Sequence, residues 1–432
     1  MSRTALKPLW RRFVAASFCW LVLAAAVVQA ASLPTAKPAE VGLSAERLDR
    51  LTHVLQSYID EKRTAGLVAL VARNGRVAYL HGLGKLDMAR GTSMPTNGIF
   101  RIASQTKAVT SVAVMLLQEE GKLLLDDSVS KYIPEFSHSR IAVEPAEKDA
   151  KGYATVPLKR PITVRDLLTH TAGISYGDGP ARDEYIAAGI HGWFMADKPV
   201  SIGEIIKKLA ALPFDAQPGE RWVYGYNTDI LGYLVERVSG MSLADFFVRE
   251  ITGPLGMTDT HFFLPGEKLG RFTSVYGMSE NGTLELKEDS RDNFYVKGPR
   301  VCCAGGAGLL STAEDYARFL LMLQGGGQFG GVRLLSPKSV ELMTADHVGN
   351  LYGAGGYGLG FWVTDRLGRN GQPGSVGSFG WGGAYHTVYW VDPAERLVAV
   401  LMTQLLPAGR SDLHAKFRAL VYQSIIASYE RR

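Results

Sequence analysis

The chain has 432 residues, 46% hydrophobic and 21% charged, a balance that supports a large buried core and excludes a disordered or fibrous protein. Its net charge of +5 is misleading, because four basic residues (Arg3, Lys7, Arg11, Arg12) fall in the first 30, which hold no acid. The remainder carries 43 basic against 42 acidic residues, so no nucleic-acid partner is expected.

Residues 1–30 read as a signal peptide: a basic start, an uncharged apolar run over 13–28, and Val28-Gln29-Ala30 ahead of Ala31. A retained anchor is the competing reading. The run falls short of the roughly 20 apolar residues that a spanning helix needs, which favours cleavage. Residues 31–432 are then expected to be periplasmic or secreted, with no stable membrane insertion.

Residues 44–63 place Leu48, Leu51, Leu55, Tyr58 and Ile59 on one helical face, with Ser44 as N-cap. Strands are expected at 67–72 and 76–80, joined by Asn74-Gly75, a strong hairpin signal. Residues 104–120 form a helix apolar nearly all round, hence buried. Between 126 and 300 helical stretches alternate with polar loops, the longest over 137–161. Helices are expected from 163 and over 229–240. Strand patterns return at 357–363, 384–391 and 396–402, with a closing helix over 413–429. This order predicts an α/β (α+β) fold: an antiparallel sheet built from both termini, flanked by helices, with a mostly helical insertion. Residues 31–125 and 301–432 supply the α/β part and 126–300 the helical part. The Gly-rich stretches at 325–331 and 353–360 lack the strand-to-helix context of a phosphate loop.

Ser104-Gln105-Thr106-Lys107 lies where a loop becomes the buried helix. Residues three apart share a helix face, so the Lys107 amine reaches the Ser104 hydroxyl. A serine needs a neighbour that removes its proton, and a lysine desolvated by an apolar helix loses its own more readily. Taken alone, the motif equally describes a capping serine followed by a surface lysine. Two further segments change the balance: Pro218-Gly219-Glu220-Arg221-Trp222-Val223-Tyr224 before a helix, and Phe379-Gly380-Trp381-Gly382-Gly383-Ala384 at a strand. In order and spacing the three segments resemble the serine β-lactamases and penicillin-binding proteins, and most closely the class C β-lactamase-like (family VIII) carboxylesterases. The likeness extends to Leu167-Leu168-Thr169-His170-Thr171-Ala172-Gly173, Gly253-Pro254-Leu255-Gly256-Met257 and Gly305-Gly306-Ala307-Gly308-Leu309.

The resemblance implies Ser104 as the acylated nucleophile, Lys107 and Tyr224 as its proton-transfer partners, and the backbone N–H groups of Ser104 and Ala384 as the oxyanion hole. It also implies substrate contacts from Tyr226, Trp381, Gly382 and Gly383. Two departures bear on the substrate. Trp381 stands where β-lactamases usually carry lysine, and Tyr226 stands where they carry asparagine, with Asn227 displaced by one. An ester substrate is therefore expected, with a β-lactamase, a D-amino-acid peptidase or a non-catalytic penicillin-binding-like receptor as alternatives.

Gly173-Ile174-Ser175-Tyr176-Gly177 matches a nucleophile elbow in letters but lacks a preceding strand, so Ser175 is set aside. His386 would be catalytic only in a Ser175 triad and otherwise reads as a strand histidine near the site mouth, and His170 reads as structural. No histidine forms a zinc motif, and no metal or cofactor is expected. The adjacent Cys302 and Cys303 read as buried thiols, or as a strained vicinal disulfide. Residues 185–195, with Trp193 and Phe194, either shape the acyl pocket or plug a loop.

Overall fold

The computed structural model describes residues 32–144, 152–369 and 371–429. The expected signal peptide lies outside them. Among the described residues no helix is long and apolar enough to cross a membrane.

Strands β1 (Gly66–Arg73), β2 (Arg76–Asp87) and β3 (Thr92–Ser93) come from the N-terminal part. Strands β4 (Gly356–Tyr357), β5 (Trp362–Val363), β6 (Phe379–Gly383), β7 (Thr387–Asp392) and β8 (Leu397–Thr403) come from the C-terminal part. They form one sheet in the order β4-β5-β6-β7-β8-β1-β2-β3. All its pairings are antiparallel. The join between the two ends of the chain is β1 against β8, running from Leu67 opposite Thr403 to Arg73 opposite Leu397. Asn74 (φ 54°) and Gly75 (φ 72°) turn the first hairpin, both left-handed as a tight primed turn requires.

Helices cover both faces, which explains why every residue of β1 is buried. On one face, α1 (Ala45–Asp60) and α5 (Leu413–Gln423) pack Leu51, Leu55, Phe417 and Val421 onto Leu67, Ala69, Val71 and Trp390. Ser44 caps α1 by accepting the Arg47 N–H at 3.3 Å. On the other face, α2 (Thr106–Glu119) and α4 (Ala313–Gln324) join Val68, Leu70, Val398, Val400 and Met402 in the larger core. The far side of α2 meets α3 (Asn227–Ser239) of the inserted region, so α2 is buried nearly all round.

Local boundaries differ from the sequence reading where tertiary pairing overrides periodicity. The expected loop over 137–161 contains a two-stranded ribbon, Arg140–Val143 with Ala154–Pro157. The strand expected over 357–363 is two short strands folded on each other, Tyr357 opposite Trp362. The strand expected over 384–391 starts at Thr387, because residues 384–386 form the turn from β6. The last helix ends at Gln423. Cys302 and Cys303 carry free thiols, and burial pushes both upward in pKa.

Candidate active site

Ser104 sits in a single 3-10 turn, Ala103–Gln105, that runs directly into α2. Ala103 before it is held at φ 42°, a left-handed conformation that costs a non-glycine residue strain and persists where surroundings impose it. Those surroundings are fixed: Ile102 donates its N–H to Leu309, Gln105 C=O accepts the buried Tyr316 hydroxyl, and the Thr106 hydroxyl accepts Leu309 N–H.

Lys107 lies one helical turn on and is fully buried. Its Nζ donates to Ser104 Oγ at 3.2 Å, to Gly306 C=O at 2.8 Å and to Tyr176 Oη at 3.1 Å. It also lies 4.6 Å from the centre of the Tyr224 ring, against its face. Ser104, Lys107 and Tyr224 therefore meet, as the motif order implied. Behind them stands Asp229, on the first turns of α3, 2% exposed. Its Oδ1 accepts the Gly306 N–H at 2.9 Å, while the Gly306 carbonyl accepts Lys107. Burial pushes the Asp229 carboxyl up to about 6, against the opposing pull of the Lys107 ammonium.

Tyr224 reaches this place because Gly225 permits it: a Cβ there would fall 2.3 Å from Ile174 O. The same approach sets Tyr224 edge to face with Tyr176, 5.7 Å between ring centres. His170 supports Tyr224 at 4.7 Å, its Nδ1 facing the Asn227 amide nitrogen at 2.9 Å. Burial and the Lys107 charge hold His170 well below its usual pKa, so it is a neutral prop. On the opposite wall Trp381 donates its indole N–H to the Tyr224 hydroxyl at 3.2 Å.

Gly383 plays the corresponding part for β6. A Cβ there would lie 2.3 Å from Ile102 O, so only glycine lets the strand abut the Ser104 turn. Ala384 follows at the start of the turn to β7, on the same cleft wall as Ser104. The cleft encloses about 460 Å³ and is lined by Tyr176, Trp193, Trp362, Trp381, Gly382 and Gly383 among others. Among the described residues no Asp, Glu, Lys or Arg stands on its wall.

One expectation needs correction. Tyr226 is fully buried and does not line the cleft; its hydroxyl holds Ile190 O at 2.8 Å and Gly192 O at 2.6 Å. It anchors the segment that carries Trp193 rather than binding substrate. Asn227 also points inward, spending its amide N–H groups on His170 and Ile174 O. The 185–195 segment splits: Trp193 lines the cleft, whereas Phe194 packs against Phe294 and Tyr295 outside it. Ser175 is 8% exposed, accepts Gly177 N–H at 3.1 Å and has no strand before it. His386 stacks on His414 at 3.9 Å, away from Ser175, and burial lowers it to about 3. The sequence reading missed Tyr176 and Asp229. Tyr176 was passed over with the rejected elbow around Ser175, and Asp229 entered only as the first residue of an expected helix. Among the described residues no cluster of metal ligands occurs.

The β-lactamase family profile matches residues 51–423. Protein Rv1367c of Mycobacterium tuberculosis is 35% identical over 376 residues, covering 82% of this chain and 89% of that protein. Esterase EstB of Burkholderia gladioli is 30% identical over 405 residues, covering 88% and 96%. The solved structure of EstCE1, a hydrolase with promiscuous acyltransferase activity, superposes with a TM-score of 0.76 at 28% identity, covering 87% of this chain and 98% of EstCE1. Other matches bear the names of an acyltransferase and of putative D-alanyl-D-alanine carboxypeptidases. With a serine, a lysine and a tyrosine converging in one cleft, the chain belongs to the β-lactamase family and is a serine hydrolase.

Proposed function

We propose that the protein is an exported carboxylesterase that forms its acyl intermediate on Ser104. Attack of Ser104 Oγ on the ester carbonyl sends the π electrons onto oxygen, between the Ser104 and Ala384 N–H groups. The Ser104 proton passes into the Lys107–Tyr224 pair, whose reactive form holds one proton fewer than its resting form. The pair returns that proton to the alcohol oxygen as the C–O bond breaks, and water repeats the sequence on the acyl-enzyme. Burial holds the Tyr176 phenol well above its ordinary pKa, so Tyr176 stays protonated.

The observation that carries the ester reading is the cleft wall. Trp381 fills the place of a cation with an indole bonded to Tyr224, and among the described residues no Asp, Glu, Lys or Arg lines the cleft. A β-lactam or a D-alanyl peptide brings a carboxylate next to the scissile bond, where this wall leaves it unpaired. The test is a comparison of kcat/KM for 4-nitrophenyl butyrate, nitrocefin and a D-alanyl-D-alanine peptide on residues 31–432. Faster turnover of either of the last two overturns the reading. Phosphonate labelling of Ser104 without turnover of any substrate would instead mark a receptor.

A further inference from the structure

Trp362 stands at the boundary between the cleft and a neighbouring space. This second cavity, of about 230 Å³, shares Trp362, Val388 and His414 with the cleft. Alternation along β6 turns Trp381 toward the catalytic side and Gly380 and Gly382 toward the face that α5 covers. Trp362 packs so closely on Gly380 that a Cβ there would meet it at 2.8 Å. With glycines on that face, no β6 side chain separates the two spaces.

The far wall carries Arg418, on α5, only 6% exposed. Its Nε–H donates to Pro373 C=O at 2.8 Å. Among the described residues this is its one side-chain hydrogen bond and it forms no ion pair within 4 Å, although Asp392 and Tyr422 lie near enough to favour its charge. Three aromatic rings surround the guanidinium, Trp362 at 5.3 Å, Trp390 at 5.1 Å and Tyr422 at 5.3 Å. The nearby Asp392 is already engaged by Tyr422 O–H at 2.7 Å, Ser375 N–H at 3.1 Å and Glu395 N–H at 3.1 Å. Burial disfavours the Arg418 charge by more than the neighbouring Tyr422 and Asp392 favour it, so its place on a cavity wall leaves it suited to an anion that comes from outside. The rest of the wall agrees. Arg366 also faces the cavity and forms no ion pair among the described residues, while Asp365, the acid on this wall, is paired with Arg369. Burial keeps His414 neutral.

We propose that this chamber is a subsite for a carboxylate, so that the preferred substrates are esters with one arm ending in a carboxylate gripped by Arg418, with Arg366 at the rim. The proposal rests on the esterase reading. A planar guanidinium offers a carboxylate paired N–H donors, and a carboxylate sheds water more readily than a phosphate dianion on entering an aromatic chamber. The anion is held across the strand from Ser104, unlike the carboxylate of a β-lactam, which lies beside the scissile bond.

Two substrate series test it: 4-nitrophenyl esters with an ω-carboxylate on the acyl arm, and acetates of ω-hydroxy carboxylic acids. Each is compared with its ω-carboxamide, and a short neutral acetate is run alongside. In one series the carboxylate lowers KM on the order of tenfold with kcat little changed, as expected for a charge-assisted contact remote from the reacting atoms. Arg418→Gln collapses that ratio toward one, and Arg418→Lys restores part of it. Should Arg418→Gln not fold, Val388→Trp, which adds bulk at the boundary that both cavities share, collapses the same ratio. In the unaltered enzyme a free ω-carboxylate competes with substrate more strongly than its amide. Equal KM values in both series, or a preference that survives Arg418→Gln or Val388→Trp, overturns the subsite. No hydrolysis even of the neutral acetate overturns the esterase reading itself.

Discussion

Trp381 gives its indole N–H to the hydroxyl oxygen of Tyr224 at 3.2 Å, while Lys107 lies against the face of the same tyrosine ring. The tyrosine is thus oriented from one side by a neutral donor and from the other by a cation. Trp381→Phe keeps the aromatic packing and removes the donor. We expect kcat/KM for 4-nitrophenyl esters to fall about tenfold, the usual worth of one hydrogen bond to a group that changes charge. Trp381→Lys places a cation on the cleft wall and is expected to raise nitrocefin turnover relative to ester turnover. An unchanged ratio of the two kcat/KM values would locate the preference elsewhere.

Ser104→Ala should lower ester hydrolysis by about a thousandfold or more, since the nucleophile and its proton partners act as a unit. Ser175→Ala should keep most of the activity, because the Ser175 hydroxyl is spent on Gly177 N–H and the Asp215 carboxylate and is not among the residues lining the cleft. Rates of both purified variants on one chromogenic ester decide the matter, and a dead Ser175→Ala enzyme would contradict the assignment.

Lys107 and Tyr224 share one proton-transfer duty, so their losses should not add. Each of Lys107→Ala and Tyr224→Phe should cost kcat several orders of magnitude, and the double variant little more. Tyr176→Phe removes one of the three acceptors around Lys107 Nζ and should cost about tenfold, far less than Tyr224→Phe. A double-mutant cycle over a pH series is the measurement. Additive losses in log kcat would rule out the shared proton.

Asp229 makes a prediction about stability. Burial pushes its carboxyl from the ordinary 3.8 up to about 6 in the folded protein. The folded protein therefore binds this proton more tightly than the unfolded chain does. The stability it contributes is full below about pH 4 and is lost as pH rises through 6. Asp229→Asn can still accept the Gly306 N–H but never ionises. Relative to the parent, the variant should gain roughly 3 kcal/mol in unfolding free energy between pH 4 and pH 7.5, at about 1.4 kcal/mol per pKa unit. Urea denaturation at the two pH values measures the difference. A gap that stays constant would show that Asp229 does not titrate in this range.

What could be read along the chain is what spacing alone dictates. The helix places Lys107 one turn from Ser104 whatever surrounds it, and Asn74-Gly75 turns its hairpin by local conformational preference. Periodicity separated helices from strands, and strands at both ends implied the antiparallel join of β1 to β8. The resemblance then supplied Tyr224, Trp381, Gly383 and Ala384, residues whose meeting with Ser104 no local rule predicts. Where the reading failed, the deciding contact spans the chain. Tyr226 occupies the position of a substrate-binding asparagine, yet its hydroxyl is drawn inward by the carbonyls of Ile190 and Gly192. Tyr176 became a neighbour of Lys107 only because Gly225 lets two loops touch. Asp229 is only the first residue of an expected helix until the close packing of Gly232 on Gly305 sets it against Gly306. Arg418 is one more basic residue on an amphipathic helix until Asp392 is seen to be spent on Tyr422, Ser375 and Glu395. A hydrogen bond depends on distance and direction between atoms that burial brings together, and burial is a property of the packed layers, not of a segment's own pattern.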